Sequence, residues 1–264
     1  MKDISFPSAL ITGASSGIGA AFAQRLAEQG SDLILVARRK ERLDALSRAL
    51  QSEHGVQVEV LVADLGSPSG VDMVAERLKT APVDLLVNNA GFGLYLPLAE
   101  TAEADMLDMI ALNIVALARL THAALPGMLR RGSGAIINVG SGLAFNLSAT
   151  RATYSGSKTF VLNFTRSIEE EVRSAGVQMQ ALIPGLIRTE FHEHSGTDIG
   201  RIPPQMIMDA LALVDGSLAG LRLGEVTCIP ALPNVADLHG SEAAQSTVAQ
   251  HLVRQGLLAE RYGP

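Results

Sequence analysis

Ala9-Leu10-Ile11-Thr12-Gly13-Ala14-Ser15-Ser16-Gly17-Ile18-Gly19 is a short apolar run followed by a glycine-rich segment, and helical periodicity begins at Gly17. The pattern predicts a buried strand, a tight turn and a helix. Such a turn lets the backbone approach a pyrophosphate, with the helix N-terminus facing the negative charge. The spacing is G-x-x-x-G-x-G rather than G-x-G-x-x-G, so a purely structural turn is the alternative explanation.

Short apolar runs alternate with longer periodic stretches along the rest of the chain. The runs predict strands at Ala9–Thr12, Leu33–Ala37, Val56–Ala63, Leu85–Asn88, Ala135–Val139, Val177–Ile183 and Glu225–Ile229. The periodic stretches predict helices at Gly17–Gln29, Glu41–Glu53, Val71–Thr80, Glu103–Leu129, Thr153–Ser174 and about Glu242–Gln255. This alternation is typical of the α/β class. We expect a doubly wound, parallel, seven-stranded sheet with helices on both faces, in one domain over residues 1–264.

The composition limits the partners and the location of the protein. The chain has 264 residues, a net charge of −6 and one cysteine, Cys228, which we expect in the core. An acidic chain argues against nucleic acid as the main partner. The apolar stretch Met109–Leu120 contains Asn113 and Arg119 and is too short to span a membrane, and the N-terminus does not resemble a signal peptide. We therefore expect a soluble, cytoplasmic protein without a membrane partner.

The end of the second predicted strand indicates which dinucleotide binds. A carboxylate at this corner would bond the ribose 2′-hydroxyl of NAD, but the chain has Arg38 and Arg39 there. Guanidinium groups suit a 2′-phosphate, because they bind phosphate with a planar fork. A basic helix start on a solvated surface is the alternative. We expect NADP(H), with NAD(H) less favoured.

Polar residues follow three further predicted strands, where ligands bind in open α/β sheets. Asp64 and Leu65 follow the third strand, and Asp64 either accepts from an adenine amino group or caps the next helix. Asn88 and Ala90 follow the fourth, where Asn88 meets the adenosine, ties strand ends together, or does both. After the sixth, Ile187 and Thr189 are placed to bond a carboxamide.

Tyr154 and Lys158 lie one helical turn apart in Thr153-Tyr154-Ser155-Gly156-Ser157-Lys158. Bringing a phenol to neutral pH requires roughly 3–4 kcal/mol. One cation about 4 Å away, at an effective dielectric of about 20, supplies about 4 kcal/mol. The pair therefore suits acid–base chemistry, although a half-exposed helix face is the plainer explanation of Tyr and Lys at this spacing. Ser141 follows the end of the fifth strand, where its hydroxyl can bind a carbonyl oxygen. Asn113, inside an apolar helix, needs a backbone or water partner.

Taken together, these stretches resemble the short-chain dehydrogenase/reductase family, in its compact single-domain, Rossmann-like branch. The resemblance covers about Ser8 to Phe191, with TGASSGIG, Asp64, NNAG, Asn113, Ser141, YSGSK and PGLIRT in the family's order. It implies that Ser141 orients the substrate oxygen and Tyr154 is the general acid–base. It also implies that Lys158 lowers the tyrosine pKa and binds nicotinamide ribose, while Asn113 supports a proton relay. Some NADP users have a basic residue where this chain has Ser16, so dual cofactor use stays open.

The expected function is hydride transfer between NADP(H) and a carbonyl or alcohol substrate. A catalytically silent NADP(H)-binding regulator is the alternative, and a sugar-nucleotide epimerase or dehydratase would need a larger C-terminal region. We expect a substrate lid at about 191–206, and no metal site, because His192 and His194 have no third ligand nearby. The expected substrate pocket is mostly apolar and formed by Leu94, Tyr95, Leu143, Phe145 and Leu186. The resemblance also implies a homodimer or homotetramer.

Overall fold

The computed structural model describes residues 5–81, 83–191, 199–254, 258 and 260–263. The strands are β1 Ser8–Thr12, β2 Asp32–Ala37, β3 Val58–Val62, β4 Leu85–Asn88, β5 Gly134–Val139, β6 Val177–Leu182, β7 Leu186–Ile187, β8 Ile207–Met208 and β9 Thr227–Cys228. The helices are α1 Gly17–Glu28, α2 Lys40–His54, α3 Pro68–Thr80, α4 Glu103–Ile110, α5 Leu117–Arg131, α6 Ala152–Val172, α7 Ala210–Leu223 and α8 Val235–Arg254.

The main sheet has seven strands in the order β3-β2-β1-β4-β5-β6-β9, and all its pairs are parallel. The order reverses direction at β1, so a crevice opens between the ends of β1 and β4. The predicted doubly wound, parallel, seven-stranded sheet is therefore confirmed. A separate two-stranded pair, β7 with β8, was not predicted.

Alternate residues of the central strands face two hydrophobic layers. Ala9 and Ile11 of β1 belong to a core cluster that includes residues of α1, α2 and α7. Leu10, between them, belongs to a second cluster with residues of α3, α5 and α6. Each face of the sheet is thus covered, as parallel strands require. Cys228 is 2% exposed in the first layer, as expected for a core residue.

Helix α7 was missed by the sequence analysis, which predicted no helix between Ser174 and Glu242. Asp209 caps the helix, since its side chain accepts from the N–H groups of Leu211 and Ala212, and Gly224 ends it in the left-handed conformation. The helix contains Gly216 and Gly220, and glycine inside a helix is normally destabilising. Packing requires Gly220 here, because a Cβ at this position would lie 2.7 Å from Cys228 Sγ.

The long helix expected at Glu103–Leu129 is divided. Between α4 and α5 the backbone forms a π-helical turn at Ala111–Ala116, and Asn113 lies within it. Such turns are frequent at functional sites. The whole segment Glu103–Arg131 has the length and apolarity of a membrane span, but its inner face packs on the sheet with Leu120, Ala124 and Met128. Core helices of globular proteins give the same profile.

The chain divides into two compact units, Met1–Pro230 and Ala231–Pro264. The first unit contains the sheet and α1 to α7. The second contains α8, which begins at Val235, earlier than the expected Glu242. The expectation of a single domain over the whole chain stays a prediction.

Candidate active site

A cavity of about 750 Å³ opens at the carboxyl ends of the parallel strands. It has the size of a cofactor and substrate site, and it lies at the switch point of the sheet. Most of the predicted site residues line this single cavity: Gly13, Ser15, Ser16, Gly17, Ile18, Arg38, Arg39, Asp64, Leu65, Ala90, Ser141, Tyr154, Lys158, Ile187 and Thr189.

The glycine turn is built for close backbone approach. Gly13 and Gly17 have φ of 66° and 55°, which favour glycine. Gly19 was expected to bind the cofactor directly, but it does not line the cavity. A Cβ at Gly19 would lie 2.4 Å from Gly13 O, so this glycine allows the helix to pack against the turn. Ser16, the N-cap of α1, makes no side-chain capping bond among the described residues. Gly17 and Ile18, the first residues of α1, line the cavity, and a helix N-terminus there suits a pyrophosphate.

The corner after β2 is positively charged. Arg39 Nη2 donates to Ser15 Oγ at 2.9 Å and to Ser16 Oγ at 2.7 Å. Arg39 Nη1 donates to Glu190 Oε2 at 2.7 Å, across the cavity mouth. Arg38 lines the same corner. Arg38 and Arg39 thus both line the cavity beside the end of β2.

Asp64 stands at the end of β3, and its carboxylate accepts from Gly66 N at 3.0 Å. The alternative reading of Asp64 as a helix cap is wrong, because the N-cap of α3 is Ser67, whose hydroxyl accepts from Gly70 N. Asp64 is exposed and lines the cavity, which leaves its outer oxygen available to an adenine amino group.

The side chain of Asn88 does not reach the cavity, which corrects its expected contact with adenosine. Asn88 is 3% exposed, and its amide donates to Thr121 Oγ1 at 3.0 Å and Asn138 Oδ1 at 2.9 Å. It ties β4 to β5 and α5. Its neighbour Asn89 lines the cavity and donates to Thr12 O at 2.9 Å.

Ser141, Tyr154 and Lys158 converge at the other end of the cavity. Ser141 and Tyr154 both line this end of the cavity, and the Ser141 hydroxyl lies near enough to the Tyr154 phenol to lower its pKa. Lys158 Nζ lies 5.7 Å from the phenol ring centre and donates to Val139 O at 2.9 Å. Tyr154 and Lys158 are each 6% exposed. The one-turn spacing on α6 thus places both groups in the same buried wall.

Burial dominates the electrostatics here. Loss of water raises the pKa of the Tyr154 phenol well above its ordinary value, and nearby Tyr95 raises it further. The Ser141 hydrogen bond and the Arg151 cation oppose this. Burial also lowers the pKa of Lys158 to about 8. The expectation that Lys158 brings the phenol pKa toward neutrality is not met in this structure, because the ammonium is itself desolvated and points to a backbone carbonyl.

Asn113 supports the site from behind. Its Oδ1 accepts from Phe92 N at 3.1 Å, and its Nδ2 donates to Phe92 O at 2.9 Å and to Ser157 Oγ at 3.2 Å. Ser157 in turn donates to Tyr154 O at 2.7 Å. The expected backbone partner is therefore present, and Asn113 holds a cavity-lining loop and the first turn of α6 together.

The segment after β7 closes the nicotinamide end. Ile187 and Thr189 line the cavity, and a Cβ at Gly17 would lie 2.9 Å from Thr189 Cγ2. The ring centres of Phe191 and Tyr154 are 5.6 Å apart, and Ile202 also lines the cavity. Residues 192–198 of the expected lid, with His192 and His194, lie outside the described residues.

The cavity wall around Tyr154 is largely aromatic and apolar, and Arg151 adds a cation to it beside Lys158. Tyr95, Leu143 and Leu186 line the cavity, but two other expected residues do not: Leu94 borders a separate small cavity, and Phe145 is 40% exposed. Sequence reasoning missed Arg151, which lies 4.4 Å above the Tyr95 ring. Its position one turn before Tyr154 was the available signal.

Comparison with known proteins agrees with this geometry. The family model described as short chain dehydrogenase matches residues 7–200. A short-chain dehydrogenase from Sphingobium yanoikuyae, solved in complex with NADPH, is 38% identical, with a TM-score of 0.92 over 97% of this chain and 100% of that one. A bulky-bulky ketone specific alcohol dehydrogenase from Comamonas testosteroni is 32% identical, with a TM-score of 0.89 over 99% of this chain and 100% of that one.

Two curated relatives that match the chain are longer than it is. A very-long-chain 3-oxoacyl-CoA reductase from Anas platyrhynchos is 31% identical over 227 residues, which are 84% of this chain and 72% of the relative. An inactive hydroxysteroid dehydrogenase-like protein 1 from Homo sapiens is 34% identical over 184 residues, 69% of this chain and 56% of the relative. The family model alone covers most of the chain. The chain therefore belongs to the short-chain dehydrogenase/reductase family and is an oxidoreductase that moves hydride between a nicotinamide cofactor and a carbonyl or alcohol.

Proposed function

We propose that the protein is an NADP(H)-dependent reductase of ketones or aldehydes, with Tyr154 as its general acid–base. The observation that carries this proposal is the grouping of Ser141 with the buried side chains of Tyr154 and Lys158 in the wall of one large cavity. These groups are the ones that carbonyl reduction needs: a proton donor, a hydroxyl that orients the substrate oxygen and a cation.

The cavity fits a nicotinamide dinucleotide. The uncapped N-terminus of α1 and the glycines beside it suit the pyrophosphate, while Asp64 suits the adenine amino group. Arg38 and Arg39 at the β2 corner favour NADP(H) over NAD(H), as charge complementarity to a 2′-phosphate requires. At the far end, Lys158 has donors for ribose hydroxyls, and Ile187 and Thr189 can bond the carboxamide.

The bound cofactor supplies the hydride, and the protein controls the proton. Ser141 donates to the substrate oxygen and orients it toward the phenol. Tyr154 then donates its proton to that oxygen, so that the carbonyl becomes an alcohol. Because burial raises the phenol pKa, Tyr154 is protonated at neutral pH and ready to act as an acid. Asn113 holds the Phe92 backbone and Ser157, and through them the position of Tyr154.

The substrate wall supports a mostly apolar, medium-sized ketone or aldehyde. Tyr95, Phe92, Leu143 and Phe191 give the cavity broad apolar faces around the phenol. The ketone named for the Comamonas testosteroni structure is consistent with such a wall. We place the protein in the cytoplasm, as an expectation from its sequence.

We also propose self-association through α4, α5 and α6. Leu107, Val115 and Leu129 are 51%, 45% and 39% exposed on the segment Glu103–Arg131, where they offer apolar surface to a second copy of the chain. Light scattering of the purified protein tests this, with a dimer or tetramer expected and a monomer contradicting it.

The proposed function is tested by following NADPH oxidation with a panel of ketones and aldehydes, beside a direct NADPH binding assay. Turnover of at least one carbonyl is expected. Binding without any turnover would favour the silent regulator, although such a protein is expected to have a damaged Ser, Tyr or Lys, and all three are present here.

A further inference from the structure

We propose that Glu190 is an internal competitor for the 2′-phosphate of NADP(H), and that it limits how strongly the enzyme prefers NADP(H) to NAD(H). This inference rests on the proposed function, in which Arg39 receives that phosphate. It concerns a residue that sequence reasoning did not single out, although a carboxylate directly after Thr189 was visible.

Glu190 binds two arginines at the corner after β2, which we call the phosphate corner. Its Oε2 accepts from Arg39 Nη1 at 2.7 Å, and its Oε1 accepts from Arg42 Nη1 at 2.5 Å. Arg39 precedes α2 and Arg42 lies in the first turn of that helix. One carboxylate therefore occupies the same kind of paired guanidinium site that a phosphate group would take.

The ion pairs also link the two ends of the cofactor cavity. Arg39 is anchored to the glycine turn through Ser15 and Ser16, whereas Glu190 belongs to the segment that follows β7 at the nicotinamide end. Thr189, beside Glu190, lies against Gly17. The segment is thus fastened over the turn where a pyrophosphate is expected.

The Glu190 carboxylate and a 2′-phosphate are both negatively charged, and both would bind the Arg39 guanidinium. The Nε and Nη2 atoms of Arg39 are engaged by the serines, and its Nη1 is engaged by Glu190. Glu190 occupies one of the two hydrogens on Nη1, and a 2′-phosphate that binds Arg39 beside it is repelled by the carboxylate. Arg39, and after it Arg42, lower the pKa of Glu190 to about 2, so the competitor is charged throughout the neutral range.

NAD(H) lacks the 2′-phosphate and does not need to displace Glu190. The carboxylate therefore weakens the binding of NADP(H) only. It reduces the difference in affinity between NADP(H) and NAD(H). Arg39 and Glu190 are 40% and 35% exposed, so solvent screens the interaction and the effect is moderate.

The test is calorimetric binding of 2′,5′-ADP and of 5′-AMP to the wild type and to Glu190→Gln. These nucleotides differ by the 2′-phosphate. We expect Glu190→Gln to bind 2′,5′-ADP about fivefold more tightly and 5′-AMP with a change below about twofold. Unchanged 5′-AMP binding also shows that the variant is folded.

Asp44→Asn is the matched control. Asp44 lies on α2, the helix that begins directly after Arg39, and pairs with a cation, Lys40 Nζ at 2.7 Å, so Asp44→Asn also removes one paired carboxylate near this corner. We expect a change below about twofold for both nucleotides in this variant. Glu190→Asp, which keeps the charge, is expected to resemble the wild type more than Glu190→Gln does.

If Glu190→Gln binds 2′,5′-ADP no better than Asp44→Asn, or more weakly than the wild type, the competition is refuted. In that event, NADPH-dependent turnover by the wild type would leave the proposed function standing. A wild type that binds neither 2′,5′-ADP nor NADPH would overturn both.

Discussion

The two ends of the cavity differ in how water reaches their charged groups. At the catalytic end, Tyr154 and Lys158 are each 6% exposed, and burial is the largest cause of both pKa shifts. At the phosphate corner, Arg39 and Glu190 are 40% and 35% exposed and are held by paired charges. Desolvation therefore determines the charge states at the catalytic end, whereas solvent-screened ion pairs dominate at the phosphate corner. Substitutions at the catalytic end should have large effects that salt barely changes, and those at the corner should have smaller, salt-dependent effects.

The largest effect is expected for Tyr154→Phe. This variant keeps the ring in the buried wall but removes the proton donor, so the turnover number for carbonyl reduction should fall about a thousandfold. NADPH binding should stay within about threefold of the wild type, because the cofactor contacts are unchanged. Stopped-flow turnover and fluorescence titration with NADPH measure the two quantities. A rate near that of the wild type would remove Tyr154 from the chemistry.

Next in size is the replacement of Arg38 and Arg39 together by Gln. NADPH binding should weaken about a hundredfold, because two charge-assisted partners of the 2′-phosphate are lost. NADH binding should change less than about threefold. Raising the salt concentration should reduce the difference between wild type and variant. Titrations with both cofactors, at low and high salt, measure this.

Arg25→Gln is the control for that double variant. Arg25 also bonds carboxylates on the surface, at Glu28 and Asp215, but it does not line the cavity. Both cofactors should bind this variant normally. Equal losses for NADPH and NADH in the double variant would show that the arginines do not recognise the phosphate.

A tenfold effect is expected from the titration of Lys158. Its pKa of about 8 means that most molecules have the ammonium at pH 7 and few have it at pH 9. If the ammonium binds the ribose hydroxyls, the NADPH dissociation constant should rise about tenfold between these pH values. Calorimetry across the pH range measures it. A Lys158→Met variant should bind more weakly at pH 7 and lose this dependence.

The same group should affect stability with a defined sign. The folded pKa of Lys158 is depressed, so between about 8 and 10.5 the unfolded chain binds more protons than the folded one. The free energy of unfolding should therefore gain a contribution that increases with pH in this window. Urea unfolding of the wild type and of Lys158→Met separates this contribution from that of other groups. No difference between the two pH profiles would contradict the buried ammonium.

The smallest effect on activity is expected at Arg151. This cation is half-buried, so its exposure lies between that of the catalytic residues and that of the phosphate corner. It lowers the pKa of the Tyr154 phenol, so Arg151→Gln should move the pH profile of alcohol oxidation to higher pH by less than about one unit. Arg151→Lys keeps the charge and should leave the profile in place. A shift toward lower pH in Arg151→Gln would show that the cation acts otherwise.

Most of the fold could be predicted from the sequence because local patterns repeat in it. Most strands of the main sheet consist largely of apolar residues, and β4 was predicted with its observed limits, Leu85–Asn88. Helix α7 was lost because Gly216 and Gly220 oppose helix formation locally, and only their packing against Pro230 and Cys228 explains them. That packing is tertiary information.

The site was predictable where motif spacing determines geometry, and less so elsewhere. The spacing of Tyr154 and Lys158 fixes a shared helix face, so their convergence was expected. Asn88 was misassigned because a strand-end amide can face inward or outward, and its partners Thr121 and Asn138 are distant in sequence. The phenol pKa was misjudged because a pairwise estimate with Lys158 omits the desolvation of both groups.

The central claim is that burial keeps Tyr154 protonated at neutral pH, so that it acts as an acid. The most direct measurement is tyrosinate absorbance as a function of pH, as the difference between the wild type and Tyr154→Phe. The chain has three tyrosines, which makes this difference readable. We predict no ionisation of Tyr154 below the ordinary tyrosine pKa of about 10. A titration step between about pH 6 and 8 that disappears in Tyr154→Phe would contradict the account.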